Sequence, residues 1–71
     1  MRIRVDLESD ALYFRVSEEA IEESEEIAPG LVADYDHRGR VVGLEFLNVK
    51  ERFTEEELSS LKVELPTVGQ K

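Results

Sequence analysis

The 71 residues suffice for one small domain, read here as residues 1–66 with a polar tail over 67–71, and such a chain buries only roughly 60% of the surface its unfolded form exposes. Seventeen acids against nine bases give a net charge of −8, which argues against a nucleic-acid or anionic-membrane binder and is compatible with a basic protein partner. The chain has no cysteine, so disulfides and thiolate metal sites are excluded, and no apolar run approaches the ~20 residues of a membrane span.

Residues 2–16 read as a first hairpin. Ile3, Val5 and Leu7 alternate with Arg2, Arg4 and Asp6, and Leu12, Phe14 and Val16 alternate with Tyr13 and Arg15. Period two over both runs predicts half-buried strands. A four-residue turn at Leu7–Asp10 sets Asp6 opposite Ala11, Val5 opposite Leu12, Ile3 opposite Phe14 and Met1 opposite Val16. All apolar pairs then share one face. Arg2 falls opposite Arg15, so acids from elsewhere are expected nearby.

Residues 17–28 hold six glutamates and an ambiguous period. A short helix capped by Ser17 competes with an extended segment, and the reading taken is a strand over 22–27, broken by Pro29-Gly30. Its charges discourage edge-to-edge aggregation. The functional alternative is a landing site for a basic partner on Glu22, Glu23, Glu25 and Glu26.

A second hairpin spans Gly30–Val49, with runs Leu31–Tyr35 and Arg40–Val49. A four-residue turn at Asp36–Gly39 sets Tyr35 opposite Arg40, Ala33 opposite Val42 and Leu31 opposite Leu44. A three-residue loop closed by a left-handed Gly39 would re-pair the strands. Gly43 inside a strand marks a bulge or a close backbone approach. The second face of this hairpin, with Val32, Val41, Leu47 and Val49, is too apolar for open water and is expected to be covered.

Phe53-Thr54-Glu55-Glu56-Glu57-Leu58 carries a capping box, Thr54 to Glu57, inside a hydrophobic staple, Phe53 to Leu58. It predicts a short helix over about 55–61. Leu58 and Leu61 are expected to face the sheet, with Val63 and Leu65 adding a last short contact. The fold class is therefore α+β: a small antiparallel sheet of two hairpins and four to five strands, with one short C-terminal helix packed on it.

No residue pattern names a chemistry. His37 sits at a turn tip without an orienting partner, and none of the five serines has an activating context. Asp34 and Asp36 project to one side of a strand, Asp6 and Asp10 flank the first turn, and the enzymatic or metal-dependent alternative would use Asp34, Asp36 and Glu45. They lack the spacing of a calcium loop. The four glycines never cluster into a phosphate-cradling loop. No catalytic residue, metal ligand or cofactor is assigned.

Two stretches resemble a known bacterial family, the domain of unknown function 2283. Val5-Asp6-Leu7-Glu8-Ser9-Asp10-Ala11-Leu12-Tyr13 is similar to its opening "YDPEADALYI". Pro29-Gly30-Leu31-Val32-Ala33-Asp34-Tyr35-Asp36, followed by Gly39 and Val41-Val42-Gly43-Leu44-Glu45-Phe46-Leu47, is similar to its "PGVIVDYDEDGNVVGIEIL". Phe14 and Phe46 stand where an aliphatic residue is common. The resemblance implies a stand-alone small domain with no activity or catalytic residue to carry over. The association of some members with small toxin-like neighbours implies an acidic antitoxin neutralising a basic toxin. The main expectation is a non-enzymatic protein-interaction module, homodimeric because its own core is small. The lack of cysteine and of a signal peptide points to the cytosol, and the abundance of glutamate fits a heat-adapted source.

Overall fold

The computed structural model describes residues 1–67. Of the expected tail, 68–71 lie outside the described residues. Among the described residues five strands form one antiparallel sheet: β1 (Arg2–Asp6), β2 (Ala11–Arg15), β3 (Glu23–Ala28), β4 (Leu31–Tyr35) and β5 (Val41–Leu47). Two helices of one turn each follow, α1 (Val49–Arg52) and α2 (Glu55–Leu58). The strand order is β1-β2-β5-β4-β3, so β1 and β3 are the open edges. The α+β class and the antiparallel sheet are as the sequence predicts.

The first hairpin has the expected register from Arg2↔Arg15 to Asp6↔Ala11. Its turn is built by aspartates. Asp6 Oδ1 accepts from the N–H groups of Glu8 (3.0 Å) and Ser9 (3.2 Å). Asp10 takes the left-handed conformation, φ 58°, which a short polar side chain tolerates. The expected acid beside the facing arginines is Glu18, 2.8 Å from Arg2 Nε.

The glutamate-rich segment is a strand, β3, and all six of its residues are exposed. It pairs with β4 across the Pro29-Gly30 turn, with an irregularity between Glu26 and Ala28.

In the central hairpin Ala33 faces Leu44 and Leu31 faces Phe46, two residues away from the four-residue-turn expectation. The reason is the turn. Asp36 N–H donates to Arg40 O at 2.9 Å, and Gly39 at φ 78° closes a three-residue loop, His37–Gly39. A further shift between Asp34 and Tyr35, which faces Val41, completes the two-residue slip. A slip of two keeps every side chain on its face, so the apolar pattern survives.

The strand over 40–49 ends early. Asn48 turns left-handed at φ 59°, and Val49 starts α1, fully buried, instead of continuing β5. Asp10 holds this turn from 40 residues away, its Oδ1 accepting Lys50 N–H at 2.9 Å. On the other side Arg52 donates to Leu47 O (2.9 Å) and Pro29 O (2.6 Å). Its guanidinium lies where a Cβ on Gly30 would sit. One helical turn thus ties both outer hairpins to the end of β5.

The capping box forms on α2, with Glu57 N–H donating to Thr54 Oγ1 (3.1 Å) and Thr54 N–H to Glu57 Oε1 (2.8 Å). The helix is shorter than expected and stops at Leu58. Ser59 turns its hydroxyl back to Glu56 O at 3.1 Å, the local bonding by which serine competes with a helix. Leu61 is consequently 67% exposed and does not face the sheet; Val63 and Leu65 are also exposed and make no last contact.

Candidate functional site

The registers assign the two faces of the sheet. One carries Ile3, Val5, Leu12, Phe14, Leu31, Ala33, Leu44 and Phe46. The helices cover only one end of it. Phe53 stands edge-on to Phe46, centroids 6.3 Å apart, and Leu58 lies beside Val5 and Leu7. Of the large side chains among the described residues, only Val42 and Val49 are fully buried; Leu12, Phe14, Leu44 and Phe46 stay half-buried and Ile3 is exposed. A sheet normally buries its apolar face against a second layer. Here that layer is a fragment.

The opposite face is organised by a row that runs across the strands: Arg2, Arg15, Gly43, Asp34 and Ser24 stand opposite one another in turn. Gly43 has no side chain, and Tyr13 leans into the gap. A Cβ there would collide with the Tyr13 hydroxyl. That hydroxyl donates to Asp34 Oδ2 at 2.8 Å, and Ser24 Oγ donates to Asp34 Oδ1 at 2.5 Å. Asp34 is buried, and each of its oxygens has a hydroxyl donor. Burial raises the Tyr13 pKa; the Arg15 guanidinium, 3.3 Å away, opposes the shift and Asp34 adds to it. Arg15 also donates to the carbonyls of Ser17 and Glu19, which straps the β2–β3 connection to the sheet.

Asp36 serves the turn. It is 4% exposed, and Oδ1 accepts the N–H groups of Arg38 and Arg40, both at 2.9 Å, while Oδ2 meets Arg40 Nε at 2.9 Å. The Arg40 amide, helped by the Arg38 amide and the Arg40 guanidinium, holds its carboxyl below the ordinary value against the effect of burial. Asp34 and Asp36 are therefore committed to separate structural tasks. Glu45 is half-buried between Tyr13 and Val32. His37 is exposed at the turn. Among the described residues, no three His, Cys, Asp or Glu side chains gather as a metal would require.

The apolar positions singled out in the sequence separate. Val32 and Leu47 are half-buried on the polar face, Val41 is 42% exposed at the hairpin end, and Val49 is buried inside α1. Glu22, Glu23, Glu25 and Glu26 lie on and beside the β3 edge, all exposed, with Glu23 and Glu25 toward the apolar face and Glu26 toward the other. Glu23 and Glu25 border a shallow depression of about 630 Å³ with Ser24, Tyr35 and Gly39. Glu26 is partly engaged, its Oε2 accepting Gly30 N–H at 3.1 Å. Sequence reading missed Asp10 and Arg52 as tertiary anchors and Tyr13–Asp34–Ser24 as a cross-strand clamp. The one available signal for the clamp was Gly43, whose place inside a strand pointed to a close approach.

No helix among the described residues is long and apolar enough to cross a membrane. A family model described as "Protein of unknown function (DUF2283)" matches residues 2–50. No curated protein and no solved structure matches the chain.

Proposed function

The chain belongs to this family of unknown function, whose model spans the five strands and the start of α1, and on that premise we propose that it is a non-enzymatic protein-interaction module that works as a homodimer. The observation that carries this reading is the half-covered apolar face of Leu12, Phe14, Leu44 and Phe46. Closing that face against a second copy supplies the missing layer, at roughly 25 cal/mol for each Å² of apolar surface removed from water. A cysteine-free chain fits a reducing compartment, and the proposed setting is the cytosol.

A hydrophobic dye such as anilinonaphthalene sulfonate tests the reading without any substitution. Fluorescence per chain should rise as the protein is diluted through its dissociation range, because separation uncovers the face. Fluorescence per chain that stays constant on dilution, from a species with the mass of one chain, contradicts it.

A second reading rests on the β3 edge. Four exposed glutamates beside an open strand edge suit a basic partner, with neutralisation of a basic toxin as the narrower form. Replacing Glu22, Glu23, Glu25 and Glu26 with Gln should weaken capture of such a partner from native lysate and flatten its salt dependence. Equal capture by both forms would count against it.

A further inference from the structure

Residues 61–65, Leu-Lys-Val-Glu-Leu, alternate strictly between apolar and charged. That is the pattern of a half-buried strand. Yet Leu61, Val63 and Leu65 are 67%, 82% and 92% exposed, and the segment belongs to no strand of the sheet. Lys62 and Glu64 lie on one side of it, 3.7 Å apart, as an extended backbone requires. The segment leaves α2 at Ser59, which shares a small hollow with Val5 and Leu7. It therefore departs beside β1, one of the two open edges.

We propose that Leu61–Leu65 is a sixth strand, exchanged between two copies of the chain and paired antiparallel with the partner copy's β1. The inference rests on the homodimer reading above and adds an edge contact at β1 to the covering of the apolar face by the second copy.

Register and charge select this edge and this direction. With Leu61 opposite Leu7, Val63 opposite Val5 and Leu65 opposite Ile3, every apolar pair falls on the apolar face. On the other face Lys62 meets Asp6 and Glu64 meets Arg4, so both charge pairs attract. The neighbouring antiparallel register, with Leu61 opposite Val5, sets Lys62 against Arg4. A parallel arrangement with Val63 beside Val5 sets Lys62 against Arg4 and Glu64 against Asp6. The β3 edge offers Glu23 and Glu25 to the apolar side, which suits neither face of the segment. Pro66 ends the added strand where an edge strand accepts proline. Exchange is chosen over folding back because the segment is exposed and does not pair with its own β1, which among the described residues pairs only with β2. Two copies meeting at their β1 edges each deliver the segment to the edge that receives it, the self-complementary arrangement of a two-fold dimer.

The test uses two full-length charge reversals, R4E and E64R, each confirmed as folded by circular dichroism. Both positions are exposed, so neither substitution disturbs the interior. Each variant alone sets like charges opposite one another at both exchanged strands, and dimerisation should weaken about tenfold. An equimolar mixture of the two should recover wild-type dimerisation, because each variant's segment then meets an opposite charge on the other's β1. If both variants dimerise like the wild type, the exchange is overturned while the homodimer stands. If the variants are weakened and the mixture fails to recover, exchange with β1 is likewise overturned. If the wild type itself is a monomer at micromolar concentration, the homodimer reading falls together with the exchange.

Discussion

Asp34 and Asp36 sit two residues apart and do different work, and each makes a separate prediction. Asp34→Ala removes the acceptor of the Tyr13 and Ser24 hydroxyls and should cost about 1–3 kcal/mol in urea unfolding. Gly43→Ala should cost a similar ~1–3 kcal/mol by forcing the Tyr13 hydroxyl aside, and Tyr13→Phe in the same chain should return part of it. Asp36 contributes to acid stability, as do Asp6 and Glu18, whose pKa values are also lowered. The folded pKa of Asp36 lies below the unfolded value, so the unfolded chain binds the proton first as pH falls. Its contribution is complete above about pH 4 and is lost as pH drops through the folded value. The urea midpoint should hold from neutral pH down to mildly acid conditions and then fall, and Asp36→Asn should flatten part of that fall. The turn role of Asp36 and the special place of Gly43 were legible in the sequence because both depend on local backbone geometry. The clamp was not, because Tyr13 and Ser24 reach Asp34 only through the strand order β2-β5-β4-β3.

At the scale of elements, the two helical turns are too short to persist alone and exist by anchoring. Asp10→Gly keeps the left-handed backbone of the turn while removing the carboxylate that holds α1. It should cost about 0.5–2 kcal/mol, as loss of a helix cap does, and hydrogen exchange should show faster opening at Lys50. The capping box of α2 was readable because it is a four-residue signal with a physical cause. The length of α2 was not, since Leu61 continues an apolar spacing that Ser59 and Ser60 interrupt. The run through Val49 likewise looked like strand, because alternation cannot reveal that Asn48 turns left-handed. In the central hairpin the four-residue turn gave the wrong register and the right faces. The left-handed Gly39 loop, the alternative, is the one that forms.

At the scale of the molecule, a single sheet layer with one covered end is an incomplete core. Chain length pointed to a small core, and the sequence expected the apolar surface to be covered to be Val32, Val41, Leu47 and Val49. The structure half-buries Val32 and Leu47, takes Val49 into α1, and leaves Leu12, Phe14, Leu44 and Phe46 half-buried on the other face. Counting within one hairpin could not show that Val49 leaves the strand or that Asp34, Gly43 and Tyr13 make the second face polar. The open face and the two open edges are consequences of strand order, and they are what an interaction module would use. Sedimentation equilibrium of the wild-type chain at micromolar concentration is the most direct test. The expected result is twice the mass of one chain, reverting to a single mass on dilution. A single-chain mass across the whole range would contradict the proposal that a second copy completes this sheet.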